Sequence, residues 1–451
     1  MSSFSTVNPA TGDVLKTYEH VTWEGAQKAI SDAAKDFQVW RKASWEERSQ
    51  VLHNLASSLR SHKTEIAQMM HQEMGKLISE GKAEVEKCAV TCEFYAKEAP
   101  GMLRNQAAVS SPYTHAEVSF QPVGVVFSIM PWNFPLWQTI RFAAPALMAG
   151  NVIVLKHADL TAGTAELIGK IFSDLTSKYK LLRNIQVDHD VAAKVIADPR
   201  VHGVTFTGSS AGGKSVAMEA AKNLKKIVLE LGGSDAYLVL EDADVEAAAK
   251  ICVKARLVNC GQSCVAGKRF IVHEKISKEF IQHFVNEMKA AEIAPLASVK
   301  FKKQIMEQVE KLKSWGGKVV LGGSAPQGAG AFYPATVVVF EKDHPELHKE
   351  EVFGPVASIL VVRSTEEALQ AANSSPYGLG GGVFTRDLKK GKELIEKELQ
   401  AGFVVVNDYV KSDPRIPFGG VKESGYGREL GHFGILEFVN IKTVAVAGEM
   451  K

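Results

Sequence analysis

Apolar residues recur with a helical spacing in the N-terminal part of the chain. Val51, Leu52, Leu55 and Leu59 follow one another at intervals that place side chains on one face of an α-helix. We therefore predict that residues 24–98 are rich in helices. Residues 112–122 mix polar and apolar positions between two prolines, which indicates an exposed strand or arm.

From residue 123 onward, short apolar runs of strand length alternate with segments of helical spacing. The predicted strands are 123–130, 151–156, 184–188, 202–207 and 226–231. The predicted helices between them are 135–148, 162–175, 191–196 and 208–223. Strands that alternate with helices in this way indicate a parallel, doubly wound sheet of the Rossmann-like type.

A second alternating series follows and predicts another α/β domain. Its strands are expected at 269–273, 318–321, 336–340, 357–362, 382–385 and 402–407. Its helices are expected at 245–258, 277–290, 300–315 and 365–373. Residues 441–446 form a lone alternating strand near the C-terminus, which needs a sheet to join. A partner subunit is one source of such a sheet.

The composition excludes several classes of protein. The 451 residues are 45% hydrophobic and 23% charged, with a net charge of +2, so nothing indicates a nucleic-acid or membrane partner. The N-terminus has no signal-peptide pattern, and prolines and glycines interrupt the longest apolar runs. Five cysteines in a chain of this length do not form a secreted disulfide pattern, so a cytoplasmic location is expected. The 13 histidines form no metal-binding motif, and no metal is predicted.

Two residues in the middle of the chain have the chemistry of covalent catalysis. Glu230 lies near the end of the predicted strand 226–231, which two glycines follow, and Cys264 follows a predicted helix in the segment Gly-Gln-Ser-Cys. A thiol provides a nucleophile, and a carboxylate provides a base that activates water. Either residue alone would be a weak signal.

A nucleotide site is indicated at two strand ends, although the usual Gly-x-Gly-x-x-Gly motif is absent. Gly208 and Ser209 follow a strand and begin a helix, where free backbone N–H groups bind anions such as a pyrophosphate. A capped helix with close packing is an equally good interpretation of these residues alone. Lys156 and Asp159 lie at another strand end and suit ribose hydroxyls, although taken alone a solvated charge pair is the better interpretation.

Several strings of residues together resemble the aldehyde dehydrogenase superfamily over nearly the whole chain. In the family's order they are Pro131-Trp132-Asn133-Phe134-Pro135, the strand end at Lys156, Phe206-Thr207-Gly208-Ser209, Leu229-Glu230-Leu231-Gly232-Gly233, Gly261-Gln262-Ser263-Cys264, Glu351-Val352-Phe353-Gly354-Pro355 and Pro417-Phe418-Gly419-Gly420. The segment 411–417 and the variant Lys156-His157-Ala158 are most similar to bacterial succinate-semialdehyde dehydrogenases.

The resemblance implies a fold and a set of functional residues. It implies a coenzyme domain at 1–100 and 123–232, a catalytic domain at 233–424, and a small β bridging element at 101–122 and 425–451, used in a homodimer or homotetramer. It makes Cys264 the nucleophile, Glu230 the base and Asn133 a donor to an oxyanion. The residues implied to bind NAD or NADP are Trp132, Lys156, Asp159, Gly208, Ser209, Gly232, Glu351 and Phe353.

The implied reaction is oxidation of an aldehyde to a carboxylate, with succinic semialdehyde as the expected substrate. The helix after Asn133 carries Phe142 where many family members have a lysine, which argues against a proton relay to Glu429. Arg141, beside it, is expected to bind a distal carboxylate with help from Ser412 or Arg415; the alternative is a surface arginine. Broad oxidation of medium-chain or aromatic aldehydes, a cysteine hydrolase and a non-catalytic binding protein remain alternatives.

Overall fold

The computed structural model describes residues 2–109, 111–328 and 330–448. Over these residues, two large and mainly parallel β-sheets are packed against helices, and a smaller antiparallel sheet lies beside them. The α/β class predicted from the alternation of strands and helices is confirmed. The domain limits at 100, 122, 232 and 424 stay a prediction.

The first large sheet has six strands, and all but one edge strand are parallel. Their order is Gly425–Tyr426, Lys226–Glu230, Val201–Thr207, Val125–Met130, Val152–His157 and Leu182–Asn184. The helices that belong to this half are Ala162–Ser173, His189–Ala197, Ser210–Lys222 and Pro135–Met148. The strand Val152–His157 and the helix Pro135–Met148 are buried along their whole lengths, as expected for a parallel sheet that helices cover.

The second large sheet has seven strands, with one antiparallel pair at its edge. Their order is Lys318–Leu321, Thr336–Phe340, Val356–Val362, Arg269–His273, Ala236–Val239, Gly380–Phe384 and Phe403–Val406. Its helices are Val245–Leu257, Glu274–Ala290, Val299–Ser314, Thr365–Asn373 and Leu388–Lys397. The edge strand of the first sheet comes from beyond these strands in the chain, so the two halves are linked at that point.

The C-terminal strand joins a small sheet formed by the same chain. Val439–Val446 pairs antiparallel with His115–Pro122 along its full length, and Gln106–Ala107 completes a three-stranded sheet. The same chain therefore supplies the sheet that this strand needs, and a partner subunit is not required for it. The oligomeric state stays a prediction.

The N-terminal helices are Trp23–Trp40, Trp45–Ser61, Lys63–Met74 and Ile78–Met102, which confirms the helix-rich interpretation of this region. Elements that were not predicted include the hairpin Ser3–Val7 and Val14–Glu19, the strand Ala236–Val239, and the helices Leu388–Lys397 and Gly431–Leu436. The hairpin and the helix Leu388–Lys397 are largely exposed, and that helix buries only Gly391. No helix in the described ranges is long and apolar enough to cross a membrane.

Capping explains where the predicted boundaries differ from the observed ones. The strand expected at 184–188 ends at Asn184, because Asp188 instead caps the next helix by accepting a hydrogen bond from the Val191 N–H at 2.9 Å. Ser209 likewise caps the helix Ser210–Lys222 by accepting a hydrogen bond from the Gly212 N–H. Ser209 and Gly208 therefore stand just before the helix, with its free N–H groups beside them.

Candidate active site

Cys264 follows a backbone segment held in an uncommon conformation. Asn259, Cys260 and Gly261 all have left-handed φ angles, of 52°, 56° and 74°. Two buried cations bind the carbonyls of this segment: Arg256 Nη2 donates to Gly261 O at 2.7 Å, and Lys268 Nζ donates to Ser263 O at 2.8 Å. Such conformations are costly and persist where the surroundings enforce them, typically at functional sites.

Asn133 is tied directly to this segment. Its side-chain Nδ2 donates to Gln262 O at 3.0 Å, and its backbone carbonyl accepts from Asn259 Nδ2 at 2.8 Å and from Lys76 Nζ at 2.9 Å. An amide nitrogen has two N–H donors, so one remains for a ligand. Asn133 and Cys264 line the same cavity.

A buried ion pair supports the start of the helix after Asn133. Lys76 and Glu84 form this pair, with side chains 0% and 2% exposed. Glu84 Oε1 also accepts the backbone N–H groups of Leu136 and Trp137 at 3.0 and 2.9 Å. A carboxylate at a helix N-terminus is favourable because it binds the free N–H groups there. Sequence reasoning missed both charged residues.

Glu230 lies at the carboxyl end of its strand and is 2% exposed. Neither carboxylate oxygen has a hydrogen-bond partner in the part of the chain that the structure describes. Burial raises the pKa of Glu230 well above its usual value, and the nearby Glu429 raises it further. Leu231 and Gly232, which follow it, line the cavity that contains Cys264.

Cys264 is half-buried, and burial raises the pKa of its thiol to about 11. Lys268 and Arg141 oppose this rise in the pKa, whereas the Glu230 carboxylate adds to it. The sulfur is therefore a protonated thiol at neutral pH in this state, and it needs a base before it can attack. The Glu230 charge contributes to the pKa of Cys264, and Leu231 and Gly232, which follow Glu230, line the cavity of Cys264.

The first cavity at Cys264 has a volume of about 400 Å³. It contains most of the predicted cofactor residues, namely Trp132, Gly208, Ser209, Gly232, Glu351 and Phe353. Glu351 Oε1 accepts the Gly233 N–H at 2.9 Å, and the carboxylate lies where a side chain at residue 232 would stand. Only glycine at position 232 leaves room for this acid at the cleft wall.

Lys156 and Asp159 do not line that cavity. They lie at the end of the strand Val152–His157, with Lys156 Nζ 3.8 Å from Asp159 Oδ1. Asp159 Oδ2 also lies 3.2 Å from His20 Nε2, and Gln186 Nε2 donates to Asp159 Oδ1 at 3.4 Å. His20, directly after the N-terminal hairpin, therefore contacts this strand end, which the sequence pattern did not indicate.

A second cavity of about 320 Å³ meets Cys264 from another side. Cys264 and Gln138 line both cavities. The second cavity has aromatic walls from Trp137, Phe418 and Tyr409, and its polar lining includes Arg141, Ser412 and Lys87. Lys87, Gln138 and the aromatic residues were not predicted as site residues.

Arg141 is 2% exposed, so the alternative of a surface arginine is wrong. Its Nε forms an ion pair with Glu429, and its guanidinium lies 4.9 Å from the centre of the Phe418 ring. Its Nη2 has no hydrogen-bond partner among the described residues. Arg415, in contrast, does not line the cavity: its side chain is 73% exposed and binds Asp413, two residues away. The structure therefore does not bring Arg415 to this site.

Comparison with known proteins agrees with this geometry. The model of the "Aldehyde dehydrogenase family" matches residues 1–444. The chain belongs to the aldehyde dehydrogenase family. It is 40% identical over 451 residues to a succinate semialdehyde dehydrogenase [NAD(P)+] of Escherichia coli (strain K12), covering 97% of this chain and 96% of that protein. It is 41% identical over 455 residues to a probable succinate-semialdehyde dehydrogenase [NADP(+)] of Synechocystis, covering 99% and 100%.

Solved aldehyde dehydrogenase structures share the fold over the full length. A succinic semialdehyde dehydrogenase from Streptococcus pyogenes, in complex with NADP+, has a TM-score of 0.95 at 36% identity and covers 99% of this chain and 100% of that one. An NAD-dependent aldehyde dehydrogenase from Sinorhizobium meliloti has a TM-score of 0.94 at 30% identity, covering 99% and 91%. The reaction of this chain is therefore NAD(P)-dependent oxidation of an aldehyde.

Proposed function

We propose that this aldehyde dehydrogenase oxidises succinic semialdehyde to succinate, with Cys264 as nucleophile, Asn133 as oxyanion donor and Glu230 as base. The single observation that carries the proposal is the position of Cys264, whose side chain lines two cavities. One cavity suits a dinucleotide and the other suits a short aldehyde with a polar end. The names of the relatives support the same substrate.

The first cavity fits NAD+ or NADP+. Gly208 and Ser209 would hold the pyrophosphate at the N-terminus of the helix Ser210–Lys222. Glu351 would bind the ribose next to the nicotinamide, with Phe353 and Trp132 at its sides. Lys156 and Asp159 would bind the adenosine ribose at their strand end. When bound, the cofactor supplies the oxidised ring that accepts hydride from the substrate carbon.

The chain's own groups begin the reaction by forming a bond to the aldehyde. The Cys264 thiol loses its proton to a base, and the sulfur attacks the carbonyl carbon, which turns the carbonyl oxygen into an oxyanion. The free N–H of the Asn133 amide and the backbone N–H of Cys264 bind that oxygen. Loss of one such donor costs about 3–4 kcal/mol of barrier in comparable sites.

After the hydride has left, the substrate is a thioester on Cys264, and Glu230 completes the reaction. The Glu230 carboxylate takes a proton from water, the resulting hydroxide attacks the thioester carbon, and the carbon–sulfur bond breaks. The acid product and the Cys264 thiolate are formed together. An unpaired carboxylate suits this step, and its raised pKa makes Glu230 a stronger base toward water.

The second cavity supplies donors for the distal carboxylate of succinic semialdehyde. Arg141 Nη2 is free to donate, and the Ser412 hydroxyl lines the same cavity. Charge-assisted hydrogen bonds of this kind favour a carboxylate over an uncharged chain end. The aromatic walls favour a second candidate, a broad oxidiser of medium-chain or aromatic aldehydes, if the donors prove unimportant.

A panel of aldehydes, assayed with NAD and with NADP, tests the proposal. We expect kcat/KM for succinic semialdehyde to exceed that for butanal and benzaldehyde at least tenfold. We also expect the Arg141→Ala, Glu429→Gln double variant to lose most of that preference; the second change avoids an unpaired buried carboxylate. Equal kcat/KM for all three aldehydes would instead support the broad oxidiser.

A further inference from the structure

Lys87 places a positive charge in the second cavity without an acidic partner of its own. It belongs to the helix Ile78–Met102, and its Nζ donates to the Ser412 hydroxyl at 2.7 Å. The same Nζ lies 4.0 Å from the centre of the Trp137 ring. Both of those residues also line the cavity. Among the residues that the structure describes, no carboxylate oxygen forms an ion pair with Lys87 within 4.0 Å.

The acids near Lys87 are engaged elsewhere. Glu84 pairs with Lys76 and binds two helix N–H groups, and Asp413 binds Arg415. Glu80, which also lines the cavity, accepts the Asn259 N–H at 2.9 Å, and burial raises its pKa toward the neutral form. Each of these acids is therefore unavailable to neutralise the ammonium group.

The other cations of this cavity are already neutralised. Arg141 pairs with Glu429, and Lys411 Nζ lies 2.8 and 2.9 Å from the two oxygens of Asp408. An ion pair still offers hydrogen bonds, but its net charge is close to zero. The uncompensated positive charge of the second cavity is therefore that of Lys87.

We propose that Lys87 is a specificity-determining residue whose ammonium group, together with the Ser412 hydroxyl that it now contacts, binds the anionic end of the substrate. The inference rests on the proposed function and sharpens it: Arg141 gives directed hydrogen bonds, and Lys87 gives the net charge that selects an anion. The substrate class is short aldehydes with a carboxylate at the far end. Binding such a carboxylate would replace the Ser412 hydroxyl as the partner of the ammonium.

The protonation of Lys87 makes this assignment measurable. Its pKa is lowered to about 8, mainly by burial and also by Arg141 on the facing helix, against the opposing effects of Cys88, Glu84 and Asp413. As the pH rises through that value, the free enzyme loses the ammonium charge, so KM for an anionic aldehyde should rise. Arginine keeps its charge over the same range.

The experiment compares succinic semialdehyde with butanal in the wild type and in the variants K87M and K87R. We expect K87M to lower the ratio of the two kcat/KM values at least tenfold, and K87R to restore most of it. The wild-type KM for succinic semialdehyde should rise between pH 7.5 and 9.5 relative to that for butanal, and this rise should vanish in K87R. The matched control is K97M, a change on the exposed face of the same helix, which should leave the ratio unchanged.

The outcomes separate this inference from the proposed function. A wild type that prefers succinic semialdehyde, combined with a K87M variant that keeps the preference, would overturn the role of Lys87 alone. A wild type that does not prefer succinic semialdehyde over butanal would overturn the proposed substrate. In that case, inhibition of butanal oxidation by succinate tests whether Lys87 binds anions. If it does, K87M should weaken this inhibition at least fivefold. Thermal unfolding of each variant shows whether a loss reflects misfolding.

Discussion

Lys76 Nζ donates a hydrogen bond to the backbone carbonyl of Asn133 at 2.9 Å, and so joins a fully buried charge to the residue that would bind the oxyanion. The partner of this charge, Glu84, binds the helix N-terminus that follows Asn133. The pair therefore fixes Asn133 by both its carbonyl and the helix that it introduces. Lys76 and Glu84 thus act by positioning Asn133.

Replacing Lys76 by Met should destabilise the protein strongly. The change leaves the Glu84 carboxylate buried without its partner, which typically costs about 3–5 kcal/mol of unfolding free energy. Urea unfolding measures this loss. The control is Lys28→Met, which removes an exposed ion pair with Asp32 and should change the unfolding free energy by less than about 1 kcal/mol. Similar losses in both variants would contradict a supporting role for Lys76.

Replacing Glu230 by Gln should separate the two halves of the reaction. Without the base, hydrolysis of the Cys264 thioester should slow by about 10²–10⁴-fold, while thioester formation continues if Glu230 serves only hydrolysis. Rapid mixing should then show a burst of about one reduced cofactor per active site, followed by slow turnover. The absence of a burst would mean that Glu230 also deprotonates Cys264. An unchanged steady-state rate would exclude Glu230 as the base.

His157 should make the fold sensitive to acid. It is fully buried between Pro135 O and the Thr161 hydroxyl, and burial lowers its pKa from 6.5 to about 4. Because the folded state disfavours protonation of His157, its neutral form contributes its full share of the unfolding free energy above pH 6.5. This contribution decreases as the pH falls toward 4. The loss attributable to this residue is about 3 kcal/mol. The unfolding free energy of His157→Gln, measured from pH 7 to 4, should decline less than that of the wild type; parallel curves would contradict this.

Asp159 should influence the choice between NAD and NADP. Its carboxylate is half-exposed at the strand end beside Lys156, where a 2′-phosphate on the adenosine ribose would meet a like charge. Asp159→Ser should raise the ratio of kcat/KM for NADP over NAD at least fivefold. Glu166→Gln is the control, since it removes an exposed acid paired with Lys16. A ratio that changes equally in both variants would place the adenosine ribose elsewhere.

The sequence predicted those parts of the site that lie at strand ends and in local motifs. Glu230 and Lys156 lie near the ends of apolar runs of strand length, and Cys264 and Asn133 lie in short strings with recognisable chemistry. Lys76, just before the helix Ile78–Met102, and Glu84 and Lys87 within it carry no such local signal, because their roles depend on how this segment packs against Pro135–Met148. Arg415 was expected to bind the substrate carboxylate, but a local contact holds it elsewhere. Its guanidinium donates to the carboxylate of Asp413, two residues away.

The position of Cys264 in the lining of both cavities also affects how the reactants can bind. Because Cys264 lines two cavities, the proposed dinucleotide and aldehyde would contact the sulfur from different sides without displacing one another. Filling one cavity therefore leaves the sulfur accessible from the other.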